Sequence, residues 1–315
     1  MAQGITVVPS TRTTRPNGPA TLWSQMRRYV WGYLFVLPWI IIYLAFGLYP
    51  LALSFYLTFF DYSFIRPEDY VFTGIGNWLR GLTDPLFWRS ILNIFYNQVI
   101  FIALTLGLGL LSALLLYKAI RGGKIFRTIY FMPVVTSVVV LMAIGNYLVS
   151  PGGPLQALLL QTGILHQPIF WKFSNWLPMP VIALINSWKW FGVSTVILLA
   201  GMAAIDQQLY EVASLDGASS WQQFFGITIP QLRPQLFFLL VINVINGLQM
   251  FTEVFTIGYD VYGGPNHQAL TPVLYLYGQA FDRSNMGYAS ALGLLLAVLI
   301  AILTLLQFKF VPNEA

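Results

Sequence analysis

The sequence contains no cysteine, and only 9% of its 315 residues are charged. Without cysteine it has no disulfide, no thiolate nucleophile and no zinc–thiolate site. Its two histidines are too few for a histidine-rich metal site. Soluble domains carry about 25% charged residues, so this chain has too few charges to cover a surface that faces water. The composition excludes an ordinary soluble enzyme, a disordered protein and a nucleic-acid-binding protein.

Apolar residues are abundant instead, with 57% hydrophobic and 16% aromatic residues. No charged residue occurs in 29–60, 90–117 or 128–171. Because a membrane-spanning helix needs about 20 apolar residues, these and three further apolar runs predict six spans. They lie near 31–58, 92–117, 128–149, 178–203, 235–257 and 286–308. The predicted fold class is an all-α integral membrane protein with a transmembrane domain over 29–315.

Lysine and arginine predict the orientation, because cytoplasmic loops of membrane proteins carry an excess of these residues. With the N-terminus inside, the outer segments carry Arg66, Arg80, Arg89, Lys172 and Arg283. The inner segments carry twice as many: Arg12, Arg15, Arg27, Arg28, Lys118, Arg121, Lys124, Arg127, Arg233 and Lys309. Both termini are therefore predicted to be cytoplasmic. Residues 1–28, which are polar and rich in Thr, Pro and Arg, are predicted to form a flexible cytoplasmic tail.

Residues 204–234, AIDQQLYEVASLDGASSWQQFFGITIPQLRP, are patterned like structure rather than like a turn. Asp206 can cap a helix over 207–215, and Asp216-Gly217 supplies the turn that ends it. Ser219 and Gln222 form a capping-box signature for a second helix. Both helices have an apolar face. The pattern alone fits a partner protein and a lipid surface equally well.

The fifth predicted span carries four polar residues within about 120° of one another on a helix. These residues are Asn243, Asn246, Gln249 and Glu253. Polar groups inside a membrane usually face the bundle interior or a water-filled cavity, and hydrogen bonding between helices is the alternative. We favour cavity lining for this stripe.

Lys189 lies in the fourth span between Trp188 and Trp190. A lysine at the centre of a bilayer costs about 3 kcal/mol on insertion scales, so its ammonium needs a partner or water. Two interpretations stay open. Lys189 either lines a cavity beside the two aromatic rings, or it is structural and pairs with Glu253 or with a backbone carbonyl.

Residues 211–234 resemble the cytoplasmic-loop signature of ATP-binding-cassette importer permeases. That signature reads Glu-Ala-Ala, three residues, Gly, about nine residues, Ile, two residues, Pro; Val212 departs from its first Ala. The matching residues are Glu211, Ala213, Asp216, Gly217, Ala218, Phe224, Ile227, Pro230 and Pro234. Six other blocks resemble the carbohydrate-uptake branch of the maltose and glycerol-phosphate type. They are residues 33–64, GIGNW at 74–78, DPLFWRSILN at 84–93, FRTIYFMPVV at 126–135, GGP at 263–265 and MGYASALG at 286–293. The opening segment is most similar to the first subunit of the permease pair.

The resemblance implies a coupling helix that docks on an ATPase subunit, with contacts from Glu211, Ala213, Asp216, Gly217, Ala218, Phe224, Ile227 and Pro230. It also implies a substrate cavity, for which the candidates are Asn243, Asn246, Gln249, Glu253, Trp188, Lys189 and Trp190; Asn246 and Gln249 fall nearest to the family's substrate contacts. The chain has no G-x-x-x-x-G-K-[ST] phosphate loop. We therefore assign it no catalytic residue, metal or cofactor, and expect ATP and Mg²⁺ on a separate ATPase subunit.

The implied function is import by alternating access of a sugar, an oligosaccharide or a related polyol or sugar phosphate. The implied partners are a second, homologous permease subunit in a heterodimer, two ATPase subunits, membrane lipid and an extracellular or periplasmic binding protein, with no nucleic acid. The outer loops 61–89, 150–177 and 258–285 are the candidate docking surface for the binding protein. The implied location is a bacterial or archaeal cytoplasmic (inner) membrane.

Two other classes are weighed against an importer subunit. A secondary transporter that acts without an ATPase would have no use for the capped helix pair at 206–229. A membrane enzyme would need paired carboxylates or a metal motif. Asp61, Glu68 and Asp69 come nearest to that, and they lie in a loop that resembles the permeases.

Overall fold

The computed structural model describes residues 30–66, 68, 70–117 and 123–310. The predicted tail over 1–28 lies outside the described residues, and so do Asp69, Lys118 and Arg121; only the backbone is described for Lys124 and Arg127. The chain divides into two compact units, 1–53 and 54–315.

The first unit contains most of α1 (Val30–Leu57). Pro38 lies inside this helix, and a π-helical turn at Leu44–Leu48 interrupts its regular winding. None of the residues of α1 is buried. A helix that is apolar on every side is suited to lipid or to another apolar surface.

Among its described residues, the regular secondary structure of the second unit is helical apart from one short hairpin of strands. Strands β1 (Phe60–Asp61) and β2 (Val71–Phe72) pair antiparallel, with Phe60 opposite Phe72. The helices are α2 (Gly76–Thr83), α3 (Pro85–Tyr117), α4 (Gly123–Val135), α5 (Val138–Val149), α6 (Pro154–Gln161), α7 (Pro178–Ala203), α8 (Gln207–Leu215), α9 (Ser220–Gln231), α10 (Arg233–Leu248), α11 (Thr252–Thr256), α12 (Pro272–Tyr277) and α13 (Met286–Phe310). A 3₁₀ turn occupies Trp171–Phe173, and a π-helical turn at Gly278–Asp282 follows α12.

Five helical stretches in the described part of the chain are long and apolar enough to cross a membrane. They are Val30–Leu57, Pro85–Tyr117, Val138–Gln161, Pro178–Ala203 and Met286–Lys309. A sixth forms if α9 and α10, which are bent by 61° relative to each other, make one span. The predicted all-α membrane fold is confirmed, and the cytoplasmic position of both termini stays a prediction.

Two of the predicted spans are interrupted in the structure. The segment 128–149 is not one helix, because Ser137 has an extended backbone (ψ 138°) between α4 and α5. The segment 235–257 is also broken. Helix α10 ends at Leu248, and Phe251 leaves the helical region (φ −137°) before α11 begins. The apolar runs of the sequence reveal neither interruption, because apolar residues continue past each break.

Helices α3 and α7 form the most extensive helix pair in the described part of the chain. Their backbones approach closely where Gly109 faces Ser194, since a Cβ at position 109 would lie 2.6 Å from the Ser194 Cβ. Helix α4 crosses α7 in the same way, and a Cβ at Gly192 would lie 2.1 Å from the Tyr130 carbonyl oxygen. Small residues at such crossings are typical of helix packing in membranes. Apolar clusters lie along this pair, one of them built on Ile94, Met142 and Ile182.

A carboxylate joins three elements near the start of α3. Asp84 Oδ2 accepts hydrogen bonds from the Tyr275 hydroxyl at 2.6 Å and from the Tyr288 hydroxyl, and Oδ1 accepts from the Leu86 amide at 2.8 Å. Burial alone raises the pKa of Asp84, but these bonds and one from the Phe87 amide together outweigh it, so the pKa lies below its ordinary value. Asp84 therefore ties the N-terminus of α3 to α12 and α13 as an anion.

We predict that Gly109→Ala lowers the melting temperature of the purified protein by several degrees. The added methyl group overpacks the α3–α7 crossing, which costs about 1–3 kcal/mol. Gly107→Ala, on the same helix, is the matched control, because a Cβ at Gly107 would lie in open space. Thermal unfolding in detergent measures both variants, and equal melting temperatures would contradict the close crossing.

We predict that Asp84→Asn destabilises the protein at pH 7 and that the difference from wild type narrows in acid. A carboxylate whose pKa is lowered on folding stabilises the fold above its ordinary pKa of 3.8. That stabilisation is lost as the pH falls through the folded-state pKa. Melting temperatures measured between pH 7 and pH 3 test this, and Tyr275→Phe, which removes one donor, should give a smaller loss at pH 7. A difference that stays constant with pH would contradict the role of the anion.

Candidate functional site

A cavity of about 300 Å³ lies between α7 and α10. Most of its wall is apolar, and Phe101 of α3 contributes to one side. Its polar groups are few and come from both helices and from α11. The lining residues are Phe101, Asn186, Trp190, Val193, Ser194, Ile197, Phe238, Leu239, Ile242, Asn243, Asn246, Gly247, Met250 and Glu253.

Two amide atoms of this lining are buried without a hydrogen-bond partner. They are Oδ1 of Asn186, an acceptor, and Nδ2 of Asn243, a donor. Buried polar atoms in proteins almost always have a partner, and a group without one calls for a specific explanation. One of these atoms is an acceptor and the other a donor, so water or the hydroxyl groups of a ligand can satisfy either of them.

The predicted polar stripe is only partly reproduced at this cavity. Asn243, Asn246 and Glu253 line it. Gln249 is exposed outside the lining, and its Nε2 donates to the Ile245 carbonyl at 3.1 Å. The reason is that α10 ends at Leu248, so the angular spacing of a continuous helix does not extend to the last two members of the stripe. Glu253 reaches the cavity from α11 instead.

Of the three candidates in the fourth predicted span, only one lines the cavity. Trp190 lines the cavity, whereas Trp188 is exposed and points elsewhere. Lys189 is 4% exposed and outside the lining. Its ammonium donates to the carbonyl oxygens of Val134 at 3.0 Å, of Thr136 and, at 3.5 Å, of Pro133. These contacts agree with the second of the two interpretations, in which Lys189 is structural and pairs with backbone carbonyls.

Asn186 and Ser194 are cavity residues that the sequence reasoning missed. Asn186 is the stronger candidate because of its unpaired oxygen. The signal was available, since Asn186, Trp190, Val193 and Ile197 follow the spacing of one helix face.

The segment after α7 forms the predicted hairpin of two capped helices. The Asp206 side chain accepts from the Gln208 amide at 2.9 Å, and Ser219 and Gln222 form the reciprocal capping box. Both predicted caps are confirmed. Gly217 makes the turn between the helices with φ +78°, a conformation that only glycine adopts without strain.

Side-chain hydrogen bonds tie the two helices of the hairpin together. The Tyr210 hydroxyl pairs with the Thr228 hydroxyl at 2.9 Å, and Gln223 Nε2 donates to Ser214 Oγ at 2.9 Å. The Ala218 amide donates to the Ala213 carbonyl at 2.9 Å. The hairpin therefore holds its own shape.

The hairpin also presents apolar surface. Trp221 is 73% exposed and stacks on Phe225, whose ring centroid lies 5.9 Å away. Leu215 is 87% exposed at the end of α8, and the sequence reasoning did not single it out. Of the predicted coupling residues, Glu211, Asp216 and Gly217 are exposed. The others are half-buried: Ala213, Ala218, Phe224, Ile227 and Pro230.

Residues 105–313 match the family described as binding-protein-dependent transport system inner membrane component. The match covers more than half of the chain. The chain belongs to this family. It is thus a multi-pass inner-membrane component of a binding-protein-dependent transport system. Among the residues that the structure describes, there is no group of three or more metal-ligating side chains.

This chain is similar to individual permeases over most of their length. The lactose transport system permease protein LacF of Rhizobium radiobacter is 33% identical over 290 residues, which cover 90% of this chain and 96% of LacF. The sn-glycerol-3-phosphate transport system permease protein UgpA of Agrobacterium fabrum is 30% identical, with 90% and 94% covered. A solved bacterial ABC transporter involved in the import of the acidic polysaccharide alginate has the same fold, with a TM-score of 0.76 at 24% identity, over 91% of this chain and 97% of that one.

We predict that Gly217→Val leaves this permease in the membrane but weakens its docking to an ATPase. Valine at φ +78° is strained, so the exposed turn changes shape while the transmembrane helices are untouched. Gly107→Val is the control, because a Cβ there also meets nothing within 4 Å, the backbone needs no positive φ and the position lies outside the hairpin. Copurification of ATPase subunits measures docking. Full recovery of the ATPase with Gly217→Val would contradict the assignment.

Proposed function

We propose that this chain is the permease subunit of an ATP-driven importer of saccharides or closely related polyols and sugar phosphates. It takes its substrate from an external binding protein and passes it to the cytoplasm by alternating access. The cavity between α7 and α10 is the part of the pathway that this chain supplies. The observation that carries the proposal is the pair of unpartnered amide atoms of Asn186 and Asn243 in its wall.

The chemistry of the cavity suits a sugar. Amide side chains both donate and accept, so they can bind the hydroxyl groups of a saccharide in either direction. Trp190 adds an aromatic wall beside these amides, with a flat apolar surface. Relatives named for lactose and for arabinooligosaccharides support the same substrate class.

The hairpin of α8 and α9 is the proposed contact with a separate ATPase subunit, which would hold ATP and Mg²⁺. Exposed Trp221, Phe225 and Leu215 supply apolar area, and Glu211 supplies a charge for a basic residue of the partner. Two ATPase subunits and a second, homologous permease subunit would complete the assembly. A transporter that acts alone would leave this rigid, apolar hairpin without a function.

The outer loops are the proposed docking surface for the binding protein. Loops 150–177 and 258–285 are joined by hydrogen bonds from Gln268 Nε2 to the Lys172 carbonyl at 3.0 Å and from Asn266 Nδ2 to Asn175 Oδ1 at 2.9 Å. The Tyr259 hydroxyl also donates to the Lys172 carbonyl at 2.9 Å. A surface held in this way is preorganised, which reduces the ordering cost of docking.

We predict that Asn243→Ala and Asn186→Ala lower the uptake of the natural sugar about tenfold each, because each removes a hydrogen bond made to the substrate. The assembled importer in proteoliposomes, with labelled sugar and its binding protein, gives the rate. Gln249→Ala is the matched control, since Gln249 lies outside the cavity lining. Equal rates for all three variants and wild type would show that the substrate passes elsewhere.

A further inference from the structure

The ammonium of Lys189 donates hydrogen bonds to the backbone at the end of α4. Its Nζ bonds the carbonyl oxygens of Val134 at 3.0 Å and of Thr136. These carbonyls belong to the end of α4 and the residue that follows it, where the last C=O groups of a helix have no partner within the helix and carry its negative pole. The ammonium thus has several oxygen partners among the backbone carbonyls.

An aromatic ring stands next to this ammonium on the cavity side. Trp190 lines the cavity, and its ring centroid lies 5.6 Å from Lys189 Nζ. Lys189 itself is 4% exposed and is not part of the lining. A solute in the cavity therefore contacts the indole ring and not the cation behind it.

Glu253 is the one charged side chain among the described residues that line the cavity. The remaining polar groups there, from Asn186, Asn243, Asn246 and Ser194, are neutral. A carboxylate in a mostly apolar wall repels an anion strongly, because the low local dielectric hardly screens the two charges. Amides can bind hydroxyl groups but carry no charge, and Lys189, the cation that interacts with Glu253, lies outside the lining.

We propose that Glu253 is a specificity-determining residue that admits uncharged saccharides to the cavity and rejects anionic ones. The inference rests on the proposed function and narrows its substrate class. Relatives of this chain include one named for lactose and one named for glycerol 3-phosphate, a neutral and an anionic solute. The geometry points to the neutral class for this chain. Glu253 rejects anions through like-charge repulsion, which gives specificity without a new attractive contact.

The natural absence of cysteine allows a direct test of the charge in the cavity. Val193→Cys places one thiol in the lining, at a position that is not among the proposed hydrogen-bonding groups. In the assembled importer, this thiol is reacted with three methanethiosulfonates of similar size: anionic sulfonatoethyl, neutral hydroxyethyl and cationic trimethylammonium-ethyl. Mass spectrometry of this chain gives the three rates. The ratio of the anionic to the cationic rate at an exposed thiol is the reference. We expect this ratio to be about tenfold lower at position 193.

Glu253→Gln in the Val193→Cys background should remove this preference, and Glu253→Asp should keep it, which separates loss of charge from misfolding. The matched control is Gln167→Cys, an exposed position outside the hairpin, in the importer without its binding protein; Glu253→Gln should change none of the rates there. The same reagent preference in the Val193→Cys protein with and without the Glu253→Gln substitution would overturn this inference and leave the proposed function intact. A thiol at position 193 that no reagent reaches in any nucleotide state would overturn both, because no solute could then enter the cavity.

Discussion

The bonds from the Lys189 ammonium to the end of α4 are the interaction on which the membrane part of this permease depends. The bilayer core offers no water, so the carbonyl groups that a helix break leaves free need donors from the protein. The break between α4 and α5 creates such carbonyls, and Lys189 supplies the donor from α7. The same bonds hold α4 against α7 where Gly192 already brings the two backbones together. One side chain thus stabilises the break from a position outside the cavity lining.

The blocks of sequence that carry the family resemblance prove to be points of close contact. Asn77 of GIGNW donates to the carbonyls of Thr58 and Phe60, at 3.0 and 2.8 Å, which fixes the turn after α1. Asp84 of DPLFWRSILN receives the hydroxyl of Tyr288, which belongs to MGYASALG. In that last block a Cβ at Gly287 would lie 1.9 Å from the Phe60 carbonyl oxygen. These blocks therefore specify how the N-terminal ends of α2, α3 and α13 meet one another and β1.

The sequence predicted the helical segments and the hairpin well, because both follow from local rules. Charge-free runs locate apolar helices, and the caps at Asp206 and Ser219 depend only on residues two and three positions away. The cavity depends on how separate helices meet, so it was only partly predictable. Asn243 and Asn246 were found by their spacing, whereas the place of Gln249 depended on where α10 ends. The partner of Lys189 lies 55 residues away at Val134, and no local pattern indicates such a pair.

The bend between α9 and α10 has a mechanical consequence. Helix α9 of the hairpin continues, through one bend of 61° at Leu232, into the helix that carries Asn243 and Asn246. At 1.5 Å per residue, Asn246 lies about 20 Å along α10 from its first residue. A rotation of α10 by about 10° at the bend would displace that residue by about 3 Å, roughly the length of a hydrogen bond. A small tilt of α10 at this bend is thus enough to make or break the contacts of the two amides that α10 contributes to the cavity wall.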